Sequence, residues 1–473
     1  MAATTEDGRP TEAGRRGDRR DALLAGLVAL ALLGLFVAVQ WARLNSFDGK
    51  VAVSTARAMT EGRLHLLPAE DPTKHHFPYS HYGIGMPLVL LPLYLLQRAL
   101  HIAPHLLESL ASPLLLAPTG ALLYLAGREL RWSRRLSLAG ALVFGALTQA
   151  LQISQEAWSE PGVALAVALV VLGMLRWRTG HAGGPWLVGS GLGVGLLFRS
   201  DSALLVGSAL ALLPAFVPWR RLLSERRAWA GLVLPVLPVL AWTAWYSLRR
   251  DGSLVPAVYG GTFTTPLPTG FYGLVLSPGK GLFAYNPFLL LAIPGAVALW
   301  RRDRAATALL VWLMLDRVLL YSRWSDWAGG VSWGPRFLMP AVGPFALLAV
   351  YGVSRIPRLR PALRGELHDA YAVTEEHAGS DPSGIATTAV RRDGGWVIDG
   401  EKWFVTTGDI ASVYIVMANA LVDGEPLGTL FLVDRELDGI EVVDDPPFTH
   451  TYPHGHPTIR FEGVEVDDED VIG

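Results

Sequence analysis

Residues 387–408 read TTAVRRDGGWVIDGEKWFVTTG. Apolar and polar side chains alternate along this stretch, and Asp399-Gly400 falls where a tight turn between two strands is expected; an Asp-Gly pair flanked by alternation is a strong hairpin signal. Further strands follow in ASVYIVMANALV (411–422), GTLFLVD (428–434), GIEVV (439–443) and TIRFEGVEVD (458–467), separated by Gly, Pro and Asp. Together they predict a small soluble β domain, barrel-like in type, over 364–473, and no further membrane span.

Toward the N-terminus the character of the chain changes. Over its 473 residues the hydrophobic fraction is 51% and the charged fraction 17%, below the roughly 25% charge of soluble domains. The deficit is local: charge is scarce from about residue 22 to 353 and dense from 364 onward. Apolar runs recur at 22–42, 109–127, 136–153, 161–175, 186–198, 202–218, 228–248, 285–300, 305–321 and 337–353. A bilayer-crossing helix needs about 20 apolar residues, so these runs predict a mainly α, polytopic membrane domain of about ten spans over 22–353. The run at 22–42 is too long for a signal-peptide core and is expected to be an uncleaved first helix. The shorter, proline-rich run at 84–97 is expected to lie at the interface or to re-enter.

Arginine orients this arrangement. The tail 1–21 carries Arg9, Arg15, Arg16, Arg19 and Arg20, and arginine-rich loops follow at 128–135, 176–185, 219–227, 301–304 and 354–364. If 84–97 does not span, these loops share one side, the cytoplasmic one. The expected location is therefore the cell membrane, multi-pass, with the N-terminus and the domain after the junction 354–363 in the cytoplasm. Net charge is −2, which gives no bulk field for nucleic acid. The chain has no cysteine, which excludes disulfides, thiolate nucleophiles and cysteine metal sites.

On the opposite, outer side lie the unusual polar residues of 22–353: Asp48 in NSFDGK, the stretch HHFPYSHYGIGMP (75–87), Glu156 and Glu160 in SQEAWSEP, Arg199 and Asp201 in LFRSDS, and Arg336 at the end of SRWSDWAGGVSWGPRF. Ionisable groups at membrane depth are costly and mark candidate sites. Glu156 and Glu160, spaced i, i+4, share a face if the stretch is helical. Arg199 and Asp201 fall where a helix pair is broken. Each also has a plainer reading: a helix cap for Asp48, interfacial charge for the glutamates, and mutual pairing for Arg199 and Asp201.

These stretches, with SHYGIGMPLVLLPLY, SPGKGLF followed by YNP, and DWAGGVSWGPRFLMP, resemble the GT-C-type membrane glycosyltransferases that use polyprenyl-phosphate sugars. The resemblance implies sugar transfer on the outer face, with Asp48 as catalytic carboxylate and Glu156, Glu160, Arg199, Asp201, Lys280 and Arg336 binding substrate. A carboxylate can take the proton of an attacking acceptor, and arginine can stabilise an anionic lipid-phosphate leaving group. Membrane lipid and a polyprenyl-phosphate sugar are the implied partners. A divalent metal is possible but has no assigned ligands. A transporter would use the same residues to bind solute.

The C-terminal stretch AYAVTEEHAGSDPSGIATTAV (370–390), followed by VIDGEKWFVTTGDIASVYIVMA (397–418), resembles the flavin-binding middle domain of acyl-CoA dehydrogenases. The shared pattern is T-E-x-x-A-G-S-D and then G-x-K-x-[FW]-[IV]-T-x-G. Glu376-His377 stands where Pro-Gly is frequent. The resemblance implies FAD as cofactor and acyl-CoA as partner. It places Tyr371, Val373, Thr374, Gly379, Ser380, Phe404, Val405 and Thr406 against the flavin, with Ser380 also near the acyl-CoA. Ser380 is thus both cofactor- and substrate-binding. A flavin site needs an apolar wall with a few placed donors, and these residue types supply both. His450, His454 and His456 read as structural or solvated loop histidines, since their spacings are weak evidence for a metal; no metal site is assigned. The helical domains that carry the family's glutamate base are expected to be missing, leaving the domain inactive alone. The expectation is a chimeric or fused chain, a membrane glycosyltransferase joined to an incomplete acyl-CoA dehydrogenase. The alternatives are an acyl-CoA dehydrogenase with a misjoined membrane segment, or a membrane transporter.

Overall fold

The computed structural model describes residues 12–41, 44–67, 70, 79–80, 82–254, 262–330, 332–355, 367–379, 381–392, 394–422, 425–449 and 453–472. It divides the chain into two compact units, Met1–Arg355 and Ile356–Gly473. The first is helical and the second is a sheet.

Among the described residues of the helical unit, six helices are long and apolar enough to cross a membrane: Asp18–Ala38, Glu108–Glu129, Glu160–Arg178, Arg226–Asp251, Arg304–Arg323 and Arg336–Val353. This corrects the expected ten-span domain. Three of the expected runs form shorter apolar helices, Gly184–Phe198, Ser200–Phe216 and Pro287–Trp300. The run 136–153 is interrupted after Ala146, where Arg134–Ala146 ends. Hydropathy counts apolar residues but does not see where a chain stops. Arg199, at extended φ −150° and ψ 132°, ends one helix before the next begins. The segment 84–97 forms the 15-residue helix Gly85–Ala99.

Glycines draw these helices together. A Cβ on Gly173 would meet the Val188 amide nitrogen at 2.7 Å, and one on Gly191 would meet the Ala166 carbonyl at 2.7 Å. Such close approach is how apolar helices associate when burial alone does not drive them. Helix starts are capped from the sequence. The Ser46 hydroxyl accepts from Gly49 N (3.2 Å) at the start of Phe47–Thr60, and Asp303 accepts from Ala306 N (3.0 Å) at the start of Arg304–Arg323; both satisfy orphan first-turn donors.

The second unit is one seven-stranded sheet: β1 (Asp369–Ala372), β2 (Thr388–Arg392), β3 (Gly395–Lys402), β4 (Val413–Val422), β5 (Glu425–Asp434), β6 (Ile440–Asp444) and β7 (Thr458–Asp467). The order is β1-β4-β2-β3-β7-β6, with β5 also on β4. Since β5 takes one edge of β4 while β1 and β2 share the other, the outer strands are β5 and β6; among the described residues no ladder joins them, so the ladder is open, and a single bridge, Phe431 to Val471, links β5 to the residues after β7. Strand β4 runs parallel to both β1 and β2 and antiparallel to β5. Its alternate residues Tyr414, Val416, Ala418 and Ala420 are buried with Ala389, Ile398, Phe431, Val433, Ile459 and Phe461.

Asp399-Gly400 is not the hairpin turn. Both residues lie inside β3, at a register irregularity between Ile398 and Gly400. The chain reverses earlier, at Gly394 (φ 84°), where Arg392 pairs with Gly395. Gly400 is required for a different reason: a Cβ there would collide with the side chain of Thr387. A glycine within a strand often marks a bulge or a close approach, and here it marks both.

Candidate functional site

The helical unit brings most of its predicted residues into one network. Asp48, in the first turn of Phe47–Thr60, accepts from the Tyr82 hydroxyl (2.7 Å) and from Arg336 Nη1 (2.9 Å). Arg336 Nε lies 3.8 Å from Glu160, which accepts from Arg199 Nη1 at 3.0 Å. Arg199 Nε donates to Asp201 (3.0 Å), and Asp201 also accepts from the Tyr321 hydroxyl and faces Arg317 at 3.9 Å. The guanidinium of Arg336 sits over the Trp158 ring, 4.4 Å from its centroid.

Glu156 and Glu160 do not share a helix face. Glu156 precedes the helix that Glu160 opens, and it accepts from the backbone nitrogens of Asn45 and Ser46, each at 2.9 Å. Lys280 is not joined to the network; it donates to the carbonyls of Gly330 (3.0 Å) and Ser332. Sequence reasoning missed Tyr82, Trp158, Arg317 and Tyr321. Arg317 and Tyr321 sit in the apolar helix Arg304–Arg323, where an arginine inside a span was the available signal. Among the described residues no group of three metal-ligating side chains occurs, so the divalent metal considered for this unit has no ligand set there.

The sheet unit presents a different arrangement. After β3 the chain runs Trp403-Phe404-Val405-Thr406-Thr407 without regular structure. Phe404 and Thr407 adopt left-handed φ values of 55° and 63°, uncommon for residues with a Cβ. Neighbours enforce this path. Trp403 N donates to Thr374 O (2.7 Å), Val405 N to Pro457 O (3.0 Å) and Thr407 N to Gly455 O (3.1 Å). The Tyr414 hydroxyl donates from the core to Gly408 O (3.0 Å), and Arg435 Nη1 donates to Asp409 O (2.6 Å).

The segment alternates. Val405 is fully buried and its backbone is bonded within the unit, whereas Phe404 (48% exposed) and Thr406 are exposed. Tyr371 on β1 is 64% exposed and Phe448 40%. Phe448 meets Phe404 edge-on at 5.9 Å and the His456 ring at 4.6 Å. The Thr406 hydroxyl is 2.9 Å from His456 Nδ1. Val373 and Thr374 follow β1 and are half-buried. Gly379 lies in the turn beyond, with nothing near where a Cβ would be. Ser380 and His450 lie outside the described residues. His454 sits 3.6 Å from Asp409.

Behind this face is a buried ion pair. Lys402 Nζ donates to Glu375 (2.7 Å) and Val373 O (3.2 Å) with no side-chain exposure. Glu375 also accepts from Ala386 N (2.6 Å), Thr387 N (3.0 Å) and the Thr387 hydroxyl (2.5 Å). Burial pushes the Glu375 carboxyl up, but the bonds from Lys402, Thr387 and the two amides outweigh it and hold it below the usual carboxylate range. Burial pushes the Lys402 ammonium down by more than its carboxylate partner restores. Both groups are thus shifted downward, which favours the charged form of Glu375 and disfavours that of Lys402. The carboxylate, with four short donors, is the better index of the pair. The pair ties residues 373–375 to the end of β3 and to the start of β2, fixing both edges of the outward face.

Residues 370–464 match the family model for the acyl-CoA dehydrogenase middle domain. The sheet unit is thus similar to the middle domain of acyl-CoA dehydrogenases, the family its motifs resemble. Benzylmalonyl-CoA dehydrogenase of Aromatoleum aromaticum is 46% identical over 83 residues, 18% of this chain and 22% of that protein. Cyclohexane-1-carbonyl-CoA dehydrogenase of Geobacter metallireducens is 43% identical over 109 residues, 22% and 28% of the two chains. Among solved structures, an FAD complex of PigA is 29% identical, covering 26% of this chain and 32% of that one, with a TM-score of 0.24. The chain spans less than a third of the length of these curated relatives. The comparisons give no support to a glycosyltransferase in residues 22–353, to a polyprenyl-phosphate sugar or to a fused transfer function. That reading rested on short motifs, and it is overturned in favour of the acyl-CoA dehydrogenase alternative.

Proposed function

We propose that the sheet unit binds FAD and an acyl-CoA as part of an acyl-CoA dehydrogenase, a flavin-dependent oxidoreductase. The observation that carries this is the outward face of Phe404 and Thr406, on a segment whose Phe404 and Thr407 hold left-handed φ values, within residues that match the middle-domain family. A planar ring needs an exposed apolar surface with a placed hydroxyl beside it. Phe404, Tyr371 and Phe448 supply the first and Thr406 the second, so the residues present fit one wall of a flavin site. Val373, Thr374, Gly379, Val405 and Ser380 are proposed as its remaining contacts, Ser380 also toward the acyl-CoA. When bound, FAD supplies a two-electron acceptor. The residues of this chain position the ring, exclude water from one side and offer a hydroxyl at its edge. Lys402 and Glu375 act behind them by fixing the backbone.

The test is to purify the full chain, titrate FAD by flavin fluorescence, then add acyl-CoA thioesters anaerobically and follow the flavin absorbance. Saturable FAD binding followed by bleaching with an acyl-CoA is expected. Absence of FAD binding at tens of micromolar would sink the proposal.

We also propose a multi-pass membrane location with the N-terminus and the sheet unit in the cytoplasm. The apolar helices, six long and three shorter among the described residues, support a membrane location, and the arginine-rich N-terminal tail and junction support the cytoplasmic side for both ends. Asp48, Glu160, Arg199, Asp201 and Arg336, joined in one network, with Glu156 and Lys280 outside it, are proposed to line a site for a polar solute. A reporter fused at residue 363 should be active in the cytoplasm; an outer signal would refute this orientation.

A further inference from the structure

Thr406 and His456 lie 50 positions apart in sequence, and their side chains meet at 2.9 Å. A threonine hydroxyl has one proton to give and lone pairs to accept with. An imidazole Nδ1 accepts when bare and donates when it carries a proton. The direction of this one bond therefore decides what Thr406 offers outward. If Nδ1 accepts, the Thr406 proton is committed to His456 and the hydroxyl can only accept on its exposed side. If Nδ1 carries a proton, the hydroxyl accepts from His456 and its own proton is free to point outward.

The histidine is held for this role. Its backbone nitrogen donates to Asp445 Oδ1 at 3.1 Å. Its ring is fixed edge-on to Phe448 at 4.6 Å. The residues on either side of it, Gly455 and Pro457, bond the backbone of Thr407 and Val405. The loop that carries His456 is thus stitched to the segment that carries Thr406, which keeps the two side chains within reach of each other. The charged and titratable groups that surround it among the described residues are Asp445, on the loop after β6, and the His454–Asp409 pair at 3.6 Å.

We propose that His456 is a positioning residue that sets the hydrogen-bonding polarity of Thr406, so that the proton on His456 selects between ligands that accept and ligands that donate at that hydroxyl. This rests on the flavin reading above and extends it. A flavin changes in this respect on reduction: its oxidised ring has bare nitrogens that accept, and its reduced ring carries an added N–H that donates. Protonated His456 favours the oxidised ring against Thr406, and neutral His456 accommodates the reduced ring.

The experiment measures the dissociation constants of oxidised FAD and of dithionite-reduced FAD for the full chain between pH 5.5 and 8.5. It compares wild type with His456→Asn and Thr406→Val. Asparagine keeps a polar group but does not titrate; valine removes the hydroxyl and keeps the shape. Any pH dependence of the flavin itself is common to all three, so the difference between them is read. The ratio of the constants for the oxidised and reduced forms is expected to change with pH by about fivefold more in wild type than in either variant, the worth of one net hydrogen bond. Equal pH dependence in wild type and His456→Asn would overturn the proposal while leaving the flavin reading intact, and so would a Thr406→Val profile that follows wild type. Failure of both forms of FAD to bind wild type would overturn the flavin reading and this proposal together.

Discussion

The two units treat polar side chains in opposite ways. In the helical unit Asp48, Arg336, Glu160, Arg199 and Asp201 turn inward, and opposite charges meet along the whole chain of contacts. In the sheet unit the charges also close on each other, at Glu375 and Lys402, yet nearby Phe404 and Thr406 face outward, Phe404 against its backbone preference. A closed network is explained by the cost of burying charge. A strained segment that exposes an aromatic ring is not explained by folding, since it gives up both conformational energy and burial. That difference places the binding proposal on the sheet.

The comparison breaks first at the ion pairs. Lys402→Met leaves Glu375 buried without its counter-charge and is expected to destabilise the sheet unit by about 3–5 kcal/mol, read as a drop in the denaturant midpoint by pulse proteolysis of the full chain. Replacing both partners, as Glu375→Leu with Lys402→Met, should recover much of that loss. Arg199→Leu is expected to cost about 3 kcal/mol in the helical unit, the low end of the same range. Glu160 keeps Arg336 nearby, and Asp201 keeps Arg317. If Arg199→Leu proves neutral, the network is not what holds these helices together.

The pH response sharpens it next. Glu375 is held below its ordinary value of 4.5, so the folded sheet binds fewer protons at this site than the unfolded chain does. The stability it contributes is fully present above pH 4.5 and is lost as pH falls through its folded value. The midpoint of the sheet unit should therefore fall below pH 4.5, and it should fall less steeply in Glu375→Gln. Equal slopes would remove Glu375 from the acid response.

The smallest expected effect separates strain from support. Phe404→Gly relieves a left-handed φ that costs about 1–2 kcal/mol. It also removes the exposed ring, whose stacking is worth about 0.5–1.5 kcal/mol. The sheet should become more stable by up to about 1 kcal/mol, while FAD affinity falls by up to about tenfold. Loss of both stability and affinity would mean that the ring supports the fold rather than a ligand.

Much of the sheet was legible in the sequence because its signals are local. The strands β4 to β7 fall on the alternating runs that predict them. The segment proposed to face the flavin was singled out through two spaced motifs. The turn at Asp399-Gly400 was misread because an Asp-Gly pair states that a glycine is needed, not why; here the reason is Thr387, thirteen residues earlier. The parallel pairings of β4 and the bond between His456 and Thr406 join distant residues, and no local signal announces them. In the helical unit Asp48, Glu160, Arg199, Asp201 and Arg336 were grouped by sequence on one expected side of a membrane, and the structure joins them in one network. The number of long helices was not legible, because an arginine or a helix end divides an apolar run without changing its composition.

The most direct measurement of the central claim is hydrogen–deuterium exchange of the full chain with and without saturating FAD. The account predicts slowed exchange in peptides covering 371–379, 403–408 and 448–457, and no change across 22–353. Protection confined to the helical unit, or unchanged exchange at 403–408 under saturation, would contradict it.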